Sequence, residues 1–156
     1  VENTARLLSV AREKNIPVAS CFVAYPNLAS MPYWKVGAIK ETLFEGSEAA
    51  ELDPRIADHK YDYVFQKEGA SAFFMTPCSA FFTKHKVDTI AVTVTSGCVR
   101  ASAVDSFQFG FRTMLVDDCS GDHDEGPHQD TMRDVGRRYA DVVQSDDVIN
   151  FMMRNN

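Results

Sequence analysis

Five short runs rich in β-branched and aromatic residues alternate with segments of helical period, and this alternation constrains the fold more than any other feature. The runs are "IPVASCFVAY" (16–25), "YDYVFQK" (61–67), "VDTIAVTV" (87–94), "FRTMLVDD" (111–118) and "DVVQ" (141–144). The chain opens on Val1 inside a helical pattern, "NTARLLSVARE", with Leu7, Leu8, Val10 and Ala11 on one side. A second helix starts near Thr76 with Pro77 at its first position, where a missing N–H costs nothing. "SGCVRASAVDSFQFG" (96–110) is a helix ended by Gly110, and "HQDTMRDVGRRYA" (128–140) and "SDDVINFMMRN" (145–155, with Ser145 as cap) follow. Strands separated by helices predict a mostly parallel sheet covered on both faces, a three-layer α/β/α domain. The unbroken apolar character of 16–25 fits a strand buried on both sides.

Composition removes several function classes. A chain of 156 residues fits one domain, and 45% hydrophobic with 24% charged residues is the balance of a globular core rather than of disorder. No window reaches the roughly 18 uninterrupted apolar residues of a membrane span. "VENTARLLSVAREKN" lacks the apolar centre of a signal peptide, so a cytoplasmic protein with no membrane partner is expected. A formal charge of -6 disfavours a nucleic-acid partner. Cys21, Cys78, Cys98 and Cys119 show no CxxC spacing, and the four histidines form no HxxxH pair. Neither a metal nor a cofactor is expected, and the cysteines read as free thiols.

In parallel sheets ligands collect beyond the carboxyl ends of the strands. Cys98, Lys67 and the acidic pair Asp117–Asp118 fall at or just past such ends. A buried cysteine is most often a small packing residue. Cys98, however, lies in the first turn of a helix, where unpaired N–H groups and the positive end of the dipole favour a thiolate and can hold an oxyanion. Ser96 and Gly97 beside it leave room for a substrate. Cys21 sits within a strand, and Cys78 and Cys119 lack this setting, so Cys98 is the candidate nucleophile.

"TSGCVRASAVDSFQFGFR" resembles the nucleophile segment of the isochorismatase-like cysteine hydrolases. "QKEGASAFF" is similar to the family's lysine segment, K-x-x-x-S-A-F, and "HQDTMRDVGRRYADVV" to its closing segment. The flavour is that of the N-carbamoylsarcosine and maleamate amidase branch. The resemblance implies a Rossmann-like sheet and a small amide, carbamoyl or ureido substrate, attacked by Cys98 to give a thioester that water then hydrolyses. It assigns Lys67 to stabilising charge at that thiolate, and the backbone N–H groups of Val94 and Cys98 to the oxyanion. It also implies a cis peptide at Thr93–Val94, and assembly as a homodimer or homotetramer.

Two departures qualify the resemblance. The family's general-base aspartate ends a first strand that lies upstream of the opening helix, so no Asp of this chain takes the role. That strand is central in the family's sheet, and its absence would split the core. A single domain spanning 1–156 but incomplete at its N-terminus is the expectation, and the alternative is a catalytically inactive member acting as a binding or scaffold subunit. A redox-sensing Cys98 is a further rival, which requires a second cysteine close by. The second departure is His123, which stands where many relatives carry an arginine for a substrate carboxylate, and histidine is a weaker, pH-dependent anion ligand. Trp34, Tyr33, Phe73 and Thr95 complete the expected pocket wall, with core packing as the competing reading for the aromatics.

Overall fold

Leu115 and Val116 are neighbours on one strand and both are fully buried, so the two faces of that strand must each be covered. The structure is a computed structural model that describes residues 1–154, with the side chains of Thr95 and Ser96 outside the description. The strand is β4 (Arg112–Gly121), flanked in parallel by β3 (Thr89–Thr95) and β5 (Asp141–Val143). Val116 meets Leu7 and Ala11 of α1 (Glu2–Glu13) and Val148 and Met152 of α6 (Ser145–Arg154). Leu115 points the other way, onto Val99 and Ala103 of α4 (Ser96–Gln108) and Met132 and Val135 of α5 (Glu125–Gly136). This is the three-layer arrangement that the alternation predicts, and each such side chain contributes about 1.5–3 kcal/mol by leaving water.

The sheet is not continuous. β1 (Ala19–Val23) and β2 (Tyr63–Lys67) form a separate parallel pair, in register from Ala19↔Tyr63 to Val23↔Lys67. β1 pairs only with β2, and β3 only with β4, so each keeps one free edge among the described residues. Residues 19–21 and 90–94 of these two edge strands line one cleft. The break falls in the sheet and not, as expected, through the core. A third apolar cluster, Phe65, Phe73, Ile90 and Cys78 and Phe82 of α3 (Cys78–Lys84), bridges the two sheets beneath it.

Polar ties fix the pieces. The buried Asp62 carboxylate accepts from Arg12 Nε (2.9 Å) and Nη2 (2.7 Å), from Ser20 Oγ (2.9 Å) and from the Asp58 N–H (3.2 Å). Helix, β1 and the start of β2 are thereby joined at one carboxylate. Asp118 Oδ1 accepts from the first N–H of α6 at Ser145 (2.7 Å), and its Oδ2 accepts from Ser145 Oγ (2.6 Å) and Asn3 Nδ2 (2.9 Å). Ser145 is thus the first helical residue and Asp118 its cap, an exchange of roles that no local spacing shows.

Several boundaries move. β4 continues to Gly121, so Asp117 and Asp118 lie inside the strand rather than past its end. The β3–β4 register jumps from Val92↔Leu115 to Val94↔Ser120, leaving 116–119 without a β3 partner, and Ser120 Oγ closes the excursion on the Val116 carbonyl at 2.8 Å. α5 begins at Glu125, not 128, because Asp124 caps it through the Gly126 N–H at 3.0 Å. The long connection 26–60 contains α2 (Gly37–Thr42) and two short 3-10 turns. The expected end of the last helix at 155 lies outside the described residues.

Candidate active site

Lys67 is the last residue of β2, and only 4% of its surface is exposed. A buried ammonium needs each of its three N–H groups met. Nζ donates to the carbonyls of Gly69 and Ala70, both at 2.9 Å, and reaches the Cys98 sulfur at 3.5 Å. Lys67 makes no salt bridge among the described residues, so the sulfur is its one ligand capable of carrying negative charge. The two carbonyls come from the loop that follows the strand, folded back over the amine.

Cys98 is the third residue of α4, half-buried, in the first turn where N–H groups lack helical acceptors. A Cβ on the neighbouring Gly97 would meet nothing within 4 Å. The other thiols differ. Burial pushes Cys78 up to about 12 and raises Cys119 and Cys21 as well, although Lys67 opposes the shift at Cys21. Cys21 and Cys78 line the same cleft as Cys98, but Cys98 is the one in hydrogen-bond reach of the ammonium.

The cleft holds roughly 250 Å³ of water-accessible space, just below the usual range of about 300–1,000 Å³ for small-molecule sites. Phe73, 4% exposed, forms part of the wall and packs against Phe109 and Phe111. Val94 lines the cleft at the β3 carboxyl end with φ of 104°, a backbone region costly for a β-branched residue. Among the described residues every peptide is trans, which corrects the expected cis bond at Thr93–Val94: the chain turns by the positive φ instead. The Thr95 side chain lies outside the described residues.

Other candidates are not brought to the cleft. His123 is exposed, with its N–H bound by the Asp122 carboxylate at 2.7 Å. Tyr33 is 98% exposed. Trp34 is half-buried and acts at one remove: its Nε1 donates to Tyr25 Oη (2.7 Å), which donates to the Glu68 carbonyl (2.6 Å), next to Lys67. Asp117 accepts from His128 Nε2 when that nitrogen carries the proton (3.0 Å) and from Gln144 Nε2 (3.2 Å). With Asp118 capping α6, both acidic residues are structural and neither lines the cleft. No group of acidic, His or Cys side chains able to hold a metal occurs among the described residues. Sequence reasoning missed the carbonyls of Gly69 and Ala70 and the fully buried Tyr25, since a backbone acceptor carries no residue-type signal and Tyr25 reads as one more apolar strand residue.

The site is thus a parallel α/β frame with a cysteine in a helix's first turn and a buried lysine at its sulfur. The family profile described as "Isochorismatase domain" matches residues 1–147, and the chain belongs to the isochorismatase family of hydrolases. Maleamate amidohydrolase of Pseudomonas putida is 35% identical over 154 residues, covering 96% of this chain and 72% of that protein. N-carbamoylsarcosine amidase of an Arthrobacter species is 31% identical over 160 residues, covering 97% of this chain and 61% of that protein. The chain therefore spans less than two thirds of the second relative. A solved cysteine hydrolase from Pseudomonas syringae pv. phaseolicola shares the fold, with a TM-score of 0.91 at 15% identity over 98% of this chain and 79% of that one. No described helix is long and apolar enough to cross a membrane.

Proposed function

We propose that the protein hydrolyses the C–N bond of a small amide, carbamoyl or ureido compound, with Cys98 as nucleophile. The 3.5 Å contact between a buried, otherwise neutrally ligated Lys67 and the Cys98 sulfur carries this reading. As a thiolate, Cys98 attacks the carbonyl carbon while Lys67 balances its charge and the N–H groups of Val94 and Cys98 receive the oxyanion. The C–N bond breaks, the nitrogen leaves with a proton as ammonia or an amine, and a thioester remains. Water then cleaves the C–S bond, releasing the acid and the thiol. The two amidase relatives support the substrate class.

That sequence needs a group to move protons, and no carboxylate or imidazole lines the cleft among the described residues. We propose that a further strand of the same polypeptide, preceding Val1, fills the space between β1 and β3, pairs both free edges and brings the base. The longer relatives support this, as does a cleft flanked by two unpaired edges. Hydrogen exchange tests it: in the longer polypeptide the amides of 20–22 and 91–93 should be protected, and rapid exchange there would exclude a filled cleft.

The catalytic reading predicts that Cys98→Ala abolishes ammonia release from a panel of small amides. Lys67→Met should lower turnover by about 10²–10³ and also cost about 1–3 kcal/mol of stability, because it leaves the Gly69 and Ala70 carbonyls without their buried donor. Wild-type turnover in either variant refutes the assignment. The rival reading is a catalytically silent binding subunit. It predicts no turnover by the longer polypeptide but saturable binding of the same amides.

Assembly as a homodimer or homotetramer is proposed too, supported by exposed Phe74, Met75 and Phe109 (61%, 90% and 57%) and checked by light scattering. Free cysteines support action in the cytoplasm.

A further inference from the structure

We infer that Ser102 is a positioning residue for the Lys67–Cys98 pair, an inference that rests on the reading of Cys98 as nucleophile. Ser102 lies four residues beyond Cys98 on α4, so both side chains share one helix face. It is 4% exposed and its Oγ accepts the Ala72 N–H at 2.9 Å. Ala72 follows by two residues the Ala70 carbonyl that holds the ammonium. The loop after β2 is therefore fastened to α4 at two points, through Lys67 to Cys98 and through Ala72 to Ser102.

One fastening would let the loop pivot about the sulfur, whereas two fix its orientation. The Ala72 peptide is gripped on both sides, since its carbonyl accepts from Thr76 Oγ1, and the adjoining Phe73 N–H is taken by Ser71 Oγ at 3.0 Å. Without the Ser102 hydroxyl the Ala72 N–H loses its acceptor in a partly buried place, and the loop must move to find another. The Gly69 and Ala70 carbonyls move with it, drawing Lys67 away from the sulfur. Ser106, one turn further along, makes a useful contrast. It is 0% exposed and bound by the Thr113 hydroxyl at 2.8 Å, away from the loop.

The test is the rate constant for alkylation of Cys98 by iodoacetamide at pH 7, followed by peptide mass spectrometry on the purified protein, with kcat, KM and the melting temperature alongside. Ser102→Ala should slow alkylation about tenfold and lower kcat by a similar factor with KM little changed. Ser102→Thr, which keeps the hydroxyl, should stay within about twofold of wild type, and Ser102→Val, its isostere without the hydroxyl, should be slow. Ser106→Ala should lower the melting temperature and leave alkylation unchanged. Equal rates for Ser102→Thr and Ser102→Val overturn the inference, as does slowing by Ser106→Ala as large as that by Ser102→Ala. If wild type turns over no amide while the alkylation pattern holds, the amidase reading fails and the positioning role stands.

Discussion

Replacing Asp62 by Ala should be among the most destabilising single changes in this protein, and the loss should fade in acid. The Asp62 side chain is 0% exposed and the Arg12 side chain 18%. Arg12 also donates to the Ile56 carbonyl at 2.6 Å, so it is held in place when its partner is removed. Breaking a buried pair by deleting one member costs about 3–5 kcal/mol, because the remaining charge is left uncompensated. At roughly 2–4 °C per kcal/mol for a domain of this size, the melting temperature should fall by about 6–20 °C. The pH dependence has a definite sign. Burial pushes the Asp62 carboxyl up, but Arg12, the Asp58 N–H and Ser20 outweigh it and hold the group below its ordinary 3.8. A carboxyl depressed in the folded state stabilises fully above that ordinary value and loses its contribution as pH falls through the folded value. Urea unfolding of wild type and Asp62→Ala at pH 7 and pH 3 measures both effects, with the difference between them shrinking at pH 3. A difference below about 1 kcal/mol at pH 7, or one that grows in acid, refutes the reasoning.

Further outcomes follow from single positions. Cys78, 2% exposed with its thiol pushed up to about 12, should not react with Ellman's reagent at pH 8 until the protein is unfolded in guanidinium. A Cβ at Gly136 would meet Val142 Cγ2 at 2.6 Å. Gly136→Ala should therefore cost about 1–3 kcal/mol from crowding, against up to about 1 kcal/mol gained in helix propensity, giving a net loss in urea midpoint. Gly110 ends α4 with φ of 88°, so Gly110→Ala should lower the midpoint by about 1–2 kcal/mol of stability.

The helical and extended segments were readable because their signals are local. The period of Leu7, Leu8 and Ala11, the apolar run at 87–94 and the glycine after α4 each act within a turn or a pleat. The start of α5 at Glu125 was readable in principle too, since Asp124 followed by Glu125 and Pro127 is a helix-opening pattern. Cys98 stood out for the same reason, its position in a helix's first turn being a property of adjacent residues. The carbonyl acceptors of Lys67 and the Asp118–Ser145 cap were not readable, because their partners meet only after the chain has collapsed.

From its sequence alone this chain was bound to form parallel strands with helices on both faces and to place one thiol where backbone N–H groups converge, because sterics and hydrophobic period operate over a few residues. Which strands share a sheet was settled only in three dimensions. There, among the described residues, β1 and β3 each keep a free edge on one cleft, and an amine 31 residues from the thiol arrives beside it. Such contacts depend on which surfaces exclude water against each other, and no short stretch of sequence contains that information.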